Sequence, residues 1–180
     1  MKQFFLKTIL FLFTVAFYNC ENNDPQEQLP PITQTGANTF GAIVDGQVFI
    51  PKDKTGYSPP GGGIPKGLKI LGNSRTFVIQ ATNYEDIYIY IYIPQEFPNE
   101  ETYNFQKSTG VEYSLAAPDF AHIYATINGV KYLSFSNSGS INFSKISLSE
   151  GIYSGTFNVR LKRNTNENDI IEITDGRFDI

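Results

Sequence analysis

Seven residues in the middle of the chain, Ile87–Ile93, alternate strictly between isoleucine and tyrosine. Successive side chains of a β-strand point to opposite faces, so this period of two predicts a strand with an isoleucine face and a tyrosine face. A segment with such high β propensity and no internal charge is prone to aggregation at a sheet edge. Glu85 and Asp86 precede it and Pro94 follows it as gatekeepers, and we expect an interior strand.

Three pairs of turn-forming residues divide other apolar runs of the chain. Asp45-Gly46, Asn128-Gly129 and Asp175-Gly176 each stand between two short segments of strand character. Asp-Gly and Asn-Gly suit the two positive-φ positions of a type I′ turn. We therefore predict three β-hairpins at these places.

The remainder of the domain continues the pattern of short strands separated by turn residues. Further strand candidates are Leu68–Leu71, Thr76–Thr82, Thr102–Phe105, Val111–Ala116, Ser140–Ser144 and Tyr153–Lys162. The sequence shows no amphipathic helical period between them, and 15 glycines and 10 prolines supply turns. It predicts one all-β domain over residues 38–180, an antiparallel β-sandwich or, as the alternative, a barrel-like sheet.

Charge and composition exclude several classes of function. The chain has 18 acidic and 14 basic residues and a net charge of -4. Nucleic-acid binding needs clustered Lys and Arg, so we expect no nucleic-acid partner. One Cys and one His allow no zinc finger and no disulfide scaffold. We expect no metal and no cofactor.

Residues 1–19 have the layout of a secretory signal peptide. Lys2 and Lys7 begin it, and an apolar run over Ile9–Phe17 follows. This run is too short to span a bilayer, which needs about 20 apolar residues. Cys20 comes directly after the signal, at the position of the lipidated residue of a bacterial lipoprotein. The alternative is an ordinary secretory signal followed by a Cys that is not modified.

A polar segment links the signal to the domain. Residues 20–37 show no hydrophobic periodicity, and we interpret them as a flexible tether that begins at the lipidated Cys20. Acidic residues soon after this Cys, beginning with Glu21, resemble the export signals that carry lipoproteins of Bacteroidetes-type bacteria to the outer leaflet. We predict a lipid-anchored protein of the cell envelope, in the outer membrane, with exposure at the cell surface left open.

Three stretches of the chain resemble one family of proteins. They are Leu29–Gly41 with Val44–Gly46, Gly151–Phe157 and Ile173–Asp179, and they contain TQTGANTFG with VDG, SGTF and ITDGRFD. These stretches are similar to a domain-of-unknown-function family of lipoproteins from Bacteroidetes-type bacteria. The resemblance implies an all-β, lipid-anchored protein, and it supplies no activity.

The sequence contains no recognisable catalytic motif. It has no Gly-x-Ser-x-Gly pentapeptide, and His122 lies where a strand starts, so we interpret this residue as a solvated or hydrogen-bonded strand-end histidine. Gly61–Gly67 departs from a phosphate-binding loop, because Pro65 interrupts it and no hydroxyl residue follows Lys66. We interpret this segment as a long loop between strands, either a binding loop or a tolerated insertion.

Charged residues near the end of the chain favour a solvated surface over a site. Arg160, Lys162 and Arg163 could form a basic ligand patch, although such residues more often solvate an outer face or protect a strand edge. The four acidic residues between positions 169 and 179 offer oxygen ligands but match no calcium-loop spacing. We assign neither group a ligand.

The tyrosine face of the alternating strand is the candidate binding site. Tyr88, Tyr90 and Tyr92 would present three rings on one side of the sheet, as a ladder on which sugar rings or a partner could stack. The alternative is that the rings are semi-exposed or that a loop of the chain covers them.

We therefore expect a lipid-anchored envelope protein without catalytic residues. It would bind a glycan, a peptide or an envelope protein, or serve a structural role, and the membrane would be its partner through Cys20. The alternative is an extracytoplasmic hydrolase that uses two carboxylates from separate strands.

Overall fold

The computed structural model describes residues 24–52, 67–112 and 118–180. The strands are β1 (Thr39–Val44), β2 (Gln47–Phe49), β3 (Leu68–Asn73), β4 (Thr76–Thr82), β5 (Ile87–Ile93), β6 (Thr102–Asn104), β7 (His122–Ile127), β8 (Val130–Leu133), β9 (Gly139–Ser147), β10 (Ile152–Arg163) and β11 (Asn166–Asp179). All their pairings are antiparallel, which confirms the predicted all-β class. The expected strand over Val111–Ala116 is absent at its first two residues, and residues 113–117 lie outside the described part.

Two of the three predicted hairpins are confirmed. Asp45-Gly46 connects β1 to β2 with φ angles of 49° and 79°. Asn128-Gly129 connects β7 to β8 with φ angles of 49° and 77°. Both residues of each pair take the left-handed conformation of a type I′ turn, which Asp, Asn and Gly adopt at low cost.

The third predicted hairpin, at Asp175-Gly176, is wrong. Both residues lie inside β11, which pairs with β1 on one side and with β10 on the other. Asp175 has a φ of 51°, and the register with both neighbours shifts beside it, as at a β-bulge. The positive φ that suits a turn suits a bulge equally, and pairing on both sides keeps this strand continuous.

The strands form one sheet that is not closed into a barrel. Its order is β2-β1-β11-β10-β8-β7-β5-β4-β3, and β9 pairs with β10 and with β6 off this path. Strand β10 changes partner along one edge, because Ile152–Val159 pairs with β9 whereas Lys162 and Arg163 pair with β8. Strand β5 lies between β4 and β7, so its predicted interior position is confirmed.

The two halves of the sheet pack face to face around the core. The Phe77 ring of β4 lies 5.9 Å from Phe143 of β9 and 4.8 Å from Tyr153 of β10, between ring centroids. These strands are not neighbours in the sheet, so the contacts cross the core. The isoleucines of β5 belong to the same cluster as Phe40 and Phe157. This arrangement is the predicted sandwich, and the barrel-like alternative is wrong.

One buried carboxylate joins the three stretches that carry the family resemblance. Asp179 is 1% exposed. Its Oδ1 accepts hydrogen bonds from the Gly36 amide (2.9 Å) and the Ser154 hydroxyl (2.6 Å). Its Oδ2 accepts from the Thr33 hydroxyl (2.5 Å) and the Thr35 amide (2.9 Å). Burial alone would raise the pKa of this carboxyl group, but the hydrogen bonds outweigh burial and hold the pKa well below its usual range.

The segment before β1 packs against the domain. Leu29 is buried, the Pro30 carbonyl accepts a hydrogen bond from Arg177 (3.4 Å), and the Gln34 carbonyl accepts one from Lys145 (2.9 Å). Together with the bonds to Asp179, these contacts fix residues 29–37 along the sheet. The tether predicted over residues 20–37 is therefore wrong for residues 29–37, and Pro25–Gln28 form a short 3-10 helix before them. Residues 1–23, including Cys20, lie outside the described part.

Candidate functional site

The tyrosine side chains of β5 lie on the outer face of the sheet, opposite the isoleucines that enter the core. Tyr90 and Tyr92 are 1% and 2% exposed, and Tyr88 is half-buried. Tyr124 of β7 is the sheet partner of Tyr90 and stacks on it, with ring centroids 5.0 Å apart. We call these four residues the tyrosine cluster.

Two described parts of the connection between β6 and β7 lie over the tyrosine cluster. We call these parts, residues 106–112 and 118–120, the cover segment. Glu112 accepts hydrogen bonds from the phenols of Tyr88 (2.8 Å) and Tyr124 (3.4 Å), and the Pro118 carbonyl accepts one from Tyr92 (2.9 Å). Burial, reinforced by Glu112, raises the pKa of Tyr88 and Tyr124 above the usual range. The cover segment thus provides acceptors for phenols that the packing buries.

Contacts with β7 and β8 hold the cover segment in place. The Ser108 amide donates to the Ser134 carbonyl (2.9 Å), and the Lys131 ammonium donates to the Gly110 carbonyl (2.5 Å). The same ammonium lies 4.8 Å from the centroid of the Tyr124 ring. One cation therefore contacts both the cover segment and the cluster beneath it.

The structure brings the three predicted site residues together but does not leave them on an open surface. Tyr88, Tyr90 and Tyr92 share one face, as the alternation predicts, and the cover segment lies over them. Of the two arrangements that the sequence allows, this is the covered one. Tyr90 and Tyr92 are packed within the protein, so a ligand could approach the tyrosine cluster only at the edge of the cover segment.

His122 is part of this packing. It is 2% exposed, and its ring stacks on Tyr92 at 4.8 Å and on Tyr90 at 6.1 Å between centroids. The Gly110 amide donates to Ser108 Oγ (3.1 Å), which lies 3.1 Å from His122 Nδ1. Burial lowers the pKa of His122 to about 4, so the ring is neutral at pH 7. The predicted hydrogen-bonded strand-end histidine is confirmed in its geometry.

A cavity of 180 Å³, which we call the outer cavity, opens where Glu112 meets β3 and β4. Its lining includes Leu71, Asn73, Thr76, Gln80, Tyr90 and Glu112. Among the described lining residues Glu112 alone carries a charge, and the others offer amide, hydroxyl, phenol and aliphatic groups. This chemistry suits a small, neutral and hydroxylated ligand better than an anion.

The outer cavity is not evident from the sequence, although one residue of β4 indicates it. Gln80 interrupts the otherwise apolar run of Phe77–Ala81, and it lies opposite Tyr90 in the β4–β5 register. A polar residue in a buried strand marks the face that meets polar groups. Nothing in the sequence around Glu112 indicates that it lines the outer cavity, because its position depends on the course of the cover segment.

The basic residues of β10 are divided among acidic partners. Arg160 lies 3.4 Å from Glu172, and Lys162 lies 3.7 Å from Glu167. Arg163 forms a further ion pair with an acidic residue of β11. The predicted solvated face is correct for Arg160, whereas Lys162 and Arg163 line a cavity.

The acidic residues between positions 169 and 179 do not come together. Asp169 pairs with Arg163, Glu172 with Arg160 and Asp175 with Arg177, and Asp179 is enclosed by its hydrogen bonds. Within the described residues no three Asp, Glu, His or Cys side chains are grouped as metal ligands. Most of the predicted glycine loop, residues 61–66, lies outside the described part.

No helix within residues 24–52, 67–112 and 118–180 has the length and apolar character needed to cross a bilayer. No protein-family model, curated protein or solved structure matches the chain. The resemblance to Bacteroidetes-type lipoproteins stays a prediction. The three stretches that carry it are in contact, because residues of the first two donate hydrogen bonds to Asp179 of the third.

Proposed function

We propose that this protein is a lipid-anchored binding module of the cell envelope, without catalysis of its own, and that the outer cavity binds its ligand. The observation that carries the proposal is the cover segment. It is hydrogen-bonded over the tyrosine cluster, and a cavity with amide, hydroxyl and carboxylate groups remains at its border. Binding residues commonly lie on such connections above a rigid sheet.

A neutral saccharide is the ligand class that fits the outer cavity best. Sugar hydroxyls both donate and accept hydrogen bonds, and the side chains of Asn73, Gln80 and Glu112 supply complementary groups beside the aliphatic Leu71. Leu71 is 47% exposed at the rim, where it can contact the apolar face of a sugar ring. Peptide and protein ligands are the competing classes.

A thermal-shift titration with neutral oligosaccharides tests this proposal. A ligand that binds only the folded state raises the melting temperature, and we expect such a rise for the full-length protein. Gln80→Ala should abolish the rise because Gln80 lines the outer cavity. Gln47→Ala on β2 is the matched control, since Gln47 is exposed and does not line this cavity. A rise that survives Gln80→Ala would place binding elsewhere.

The anchor rests on the sequence around Cys20. In our proposal the signal peptide before Cys20 directs secretion, acyl chains such as palmitate hold the protein in the outer membrane, and the acidic residues that begin with Glu21 act as the export signal. Fractionation of expressing cells should find the wild-type protein in the membrane pellet and Cys20→Ser in the soluble fraction. A Cys20→Ser protein that stays in the pellet would contradict lipid anchoring.

One observation favours a second candidate, a hydrolase with two carboxylates. A cavity of 410 Å³ is lined by both Asp45 and Glu172, from the β1–β2 turn and from β11. Glu172 is an exposed residue paired with Arg160, so the cavity lacks the apolar enclosure that keeps a general acid protonated. Glycosidase activity that is lost in both Asp45→Asn and Glu172→Gln would establish this alternative.

A further inference from the structure

A second cavity borders the cover segment at Lys107 and Ser108, whereas the outer cavity borders it at Glu112. We call this second cavity the basic cavity; it has a volume of 290 Å³, and its lining includes Lys107, Ser134, Phe135, Lys162, Arg163 and Glu167. Lys107 belongs to the cover segment, whereas Lys162 and Arg163 end β10. Three cationic side chains from two separate segments therefore line one concave surface.

An irregularity of β11 lies beside the two cationic residues that end β10. Lys162 pairs with Ile170 and Arg163 with Asn166, so residues 167–169 of β11 are extra and interrupt the ladder, as at a bulge. They include Glu167 and Asp169, the acidic partners of Lys162 and Arg163. Lys162 and Arg163 also pair with β8, so this end of β10 is held on two sides.

Neighbouring side chains position two of the three cationic groups, those of Lys162 and Arg163. The Lys162 ammonium lies 4.7 Å from the centroid of the Phe135 ring and 3.7 Å from the Glu167 carboxylate. The side chain of Glu167 is 85% exposed, so this acid is loosely placed. Arg163 is oriented by Asp169 at 3.3 Å, and its buried Nε has no hydrogen-bond partner among the described residues. A buried donor is costly unless an acceptor reaches it.

We propose that the basic cavity binds a tetrahedral oxyanion, the phosphate or sulfate ester group of a small free ligand. The surplus of positive charge here is opposite in sign to the net charge of -4 on the chain. An arginine fork with two lysines and the Ser134 hydroxyl matches the acceptors of such a group. The concave lining fits an inserted group, in contrast to the flat array of cations that contacts a membrane surface.

Titration calorimetry with the full-length protein tests this site. The probes are inorganic phosphate, inorganic sulfate, a hexose 6-phosphate and a hexose 6-sulfate, each at constant ionic strength in chloride. We expect binding that weakens at least tenfold in Arg163→Gln and in Lys107→Gln, and that tightens in Glu167→Gln. Arg160→Gln is the matched control, because Arg160 is an exposed arginine of the same strand with an acidic partner outside the basic cavity.

The outcomes separate this site from other sources of anion binding. Tighter binding of the esters than of the inorganic anions, with Arg160→Gln unchanged, supports the proposal. Failure of all four probes to bind overturns it. Equal weakening in Arg160→Gln and Arg163→Gln also overturns it, since that result indicates general electrostatic attraction. Binding only to vesicles of phosphatidylglycerol would overturn it in favour of a membrane contact. Gln80→Ala should leave anion binding intact, which separates this site from the outer cavity.

Discussion

Replacing Asp179 by Asn tests the junction that ties residues 29–37 to the sheet. Both carboxylate oxygens accept hydrogen bonds, and the residue is 1% exposed. An amide side chain has one accepting oxygen, so its NH₂ group must face a backbone donor, the amide of Gly36 or that of Thr35. The variant also loses the charge that strengthens the remaining bonds.

The expected loss follows from these contacts. A buried donor left unpaired costs about 1–3 kcal/mol, and a hydrogen bond to a charged group contributes about 1.5–3 kcal/mol. We expect Asp179→Asn to lower the free energy of unfolding by about 3 kcal/mol at pH 7, since such terms are not additive. Ser154→Ala, which removes one donor to the same carboxylate, should cost about 1.5 kcal/mol.

Urea unfolding measured from pH 7 to pH 2 provides the assay. The pKa of Asp179 is lower in the folded state than its unfolded value of about 3.9. The ionised side chain therefore stabilises the folded state above that pH, and this stabilisation is lost as the pH falls below it. The difference in free energy of unfolding between wild type and Asp179→Asn should therefore decrease below about pH 4. Asp175→Asn is the control, an acid of the same strand with a distant ion pair at 3.9 Å. A variant within about 0.5 kcal/mol of wild type at pH 7, or a gap independent of pH, would refute the reasoning.

Two further predictions concern the stability of the sheet. Burial lowers the pKa of His122 to about 4 from about 6.5 in the unfolded chain, so its contribution is complete above pH 6.5 and declines by up to about 3 kcal/mol as the pH falls to 4. The urea midpoint of the wild type should fall over this pH range, whereas that of His122→Gln should not. Equal dependence of the two midpoints on pH would contradict this prediction. A Cβ at Gly176 would lie 2.6 Å from the Phe157 ring, so Gly176→Ala should cost about 2 kcal/mol in urea unfolding. Gly129→Ala should cost about 1 kcal/mol, because only its φ of 77° opposes a side chain there. A Gly176→Ala loss no larger than that of Gly129→Ala would show that the bulge relaxes.

Local sequence signals predicted the strands well. The alternation of Ile87–Ile93 gave both ends of β5, because the period of two and the flanking charges mark the same residues. Turn chemistry succeeded at Asp45-Gly46 and Asn128-Gly129, where an apolar segment returns beside its neighbour. It failed at Asp175-Gly176, because β11 continues through this pair, between β10, which directly precedes it in the chain, and β1, which begins the domain.

Contacts between distant segments were beyond sequence reasoning. Residues 29–37 read as a tether, since nothing local shows that Asp179 binds their amides and hydroxyls. The covered state of Tyr90 and the place of Glu112 depend on the path of the cover segment. The basic cavity likewise combines Lys107 with the end of β10.

The central claim is that the outer cavity binds a neutral saccharide beside the tyrosine cluster. The most direct measurement is a ¹H–¹⁵N NMR titration of the full-length protein carrying Cys20→Ser with a panel of neutral oligosaccharides. The account predicts saturable shifts of the side-chain amides of Asn73 and Gln80, which line the cavity, while that of Gln47 stays fixed. Spectra that do not change with any saccharide, or shifts that leave Asn73 and Gln80 unmoved, would contradict it.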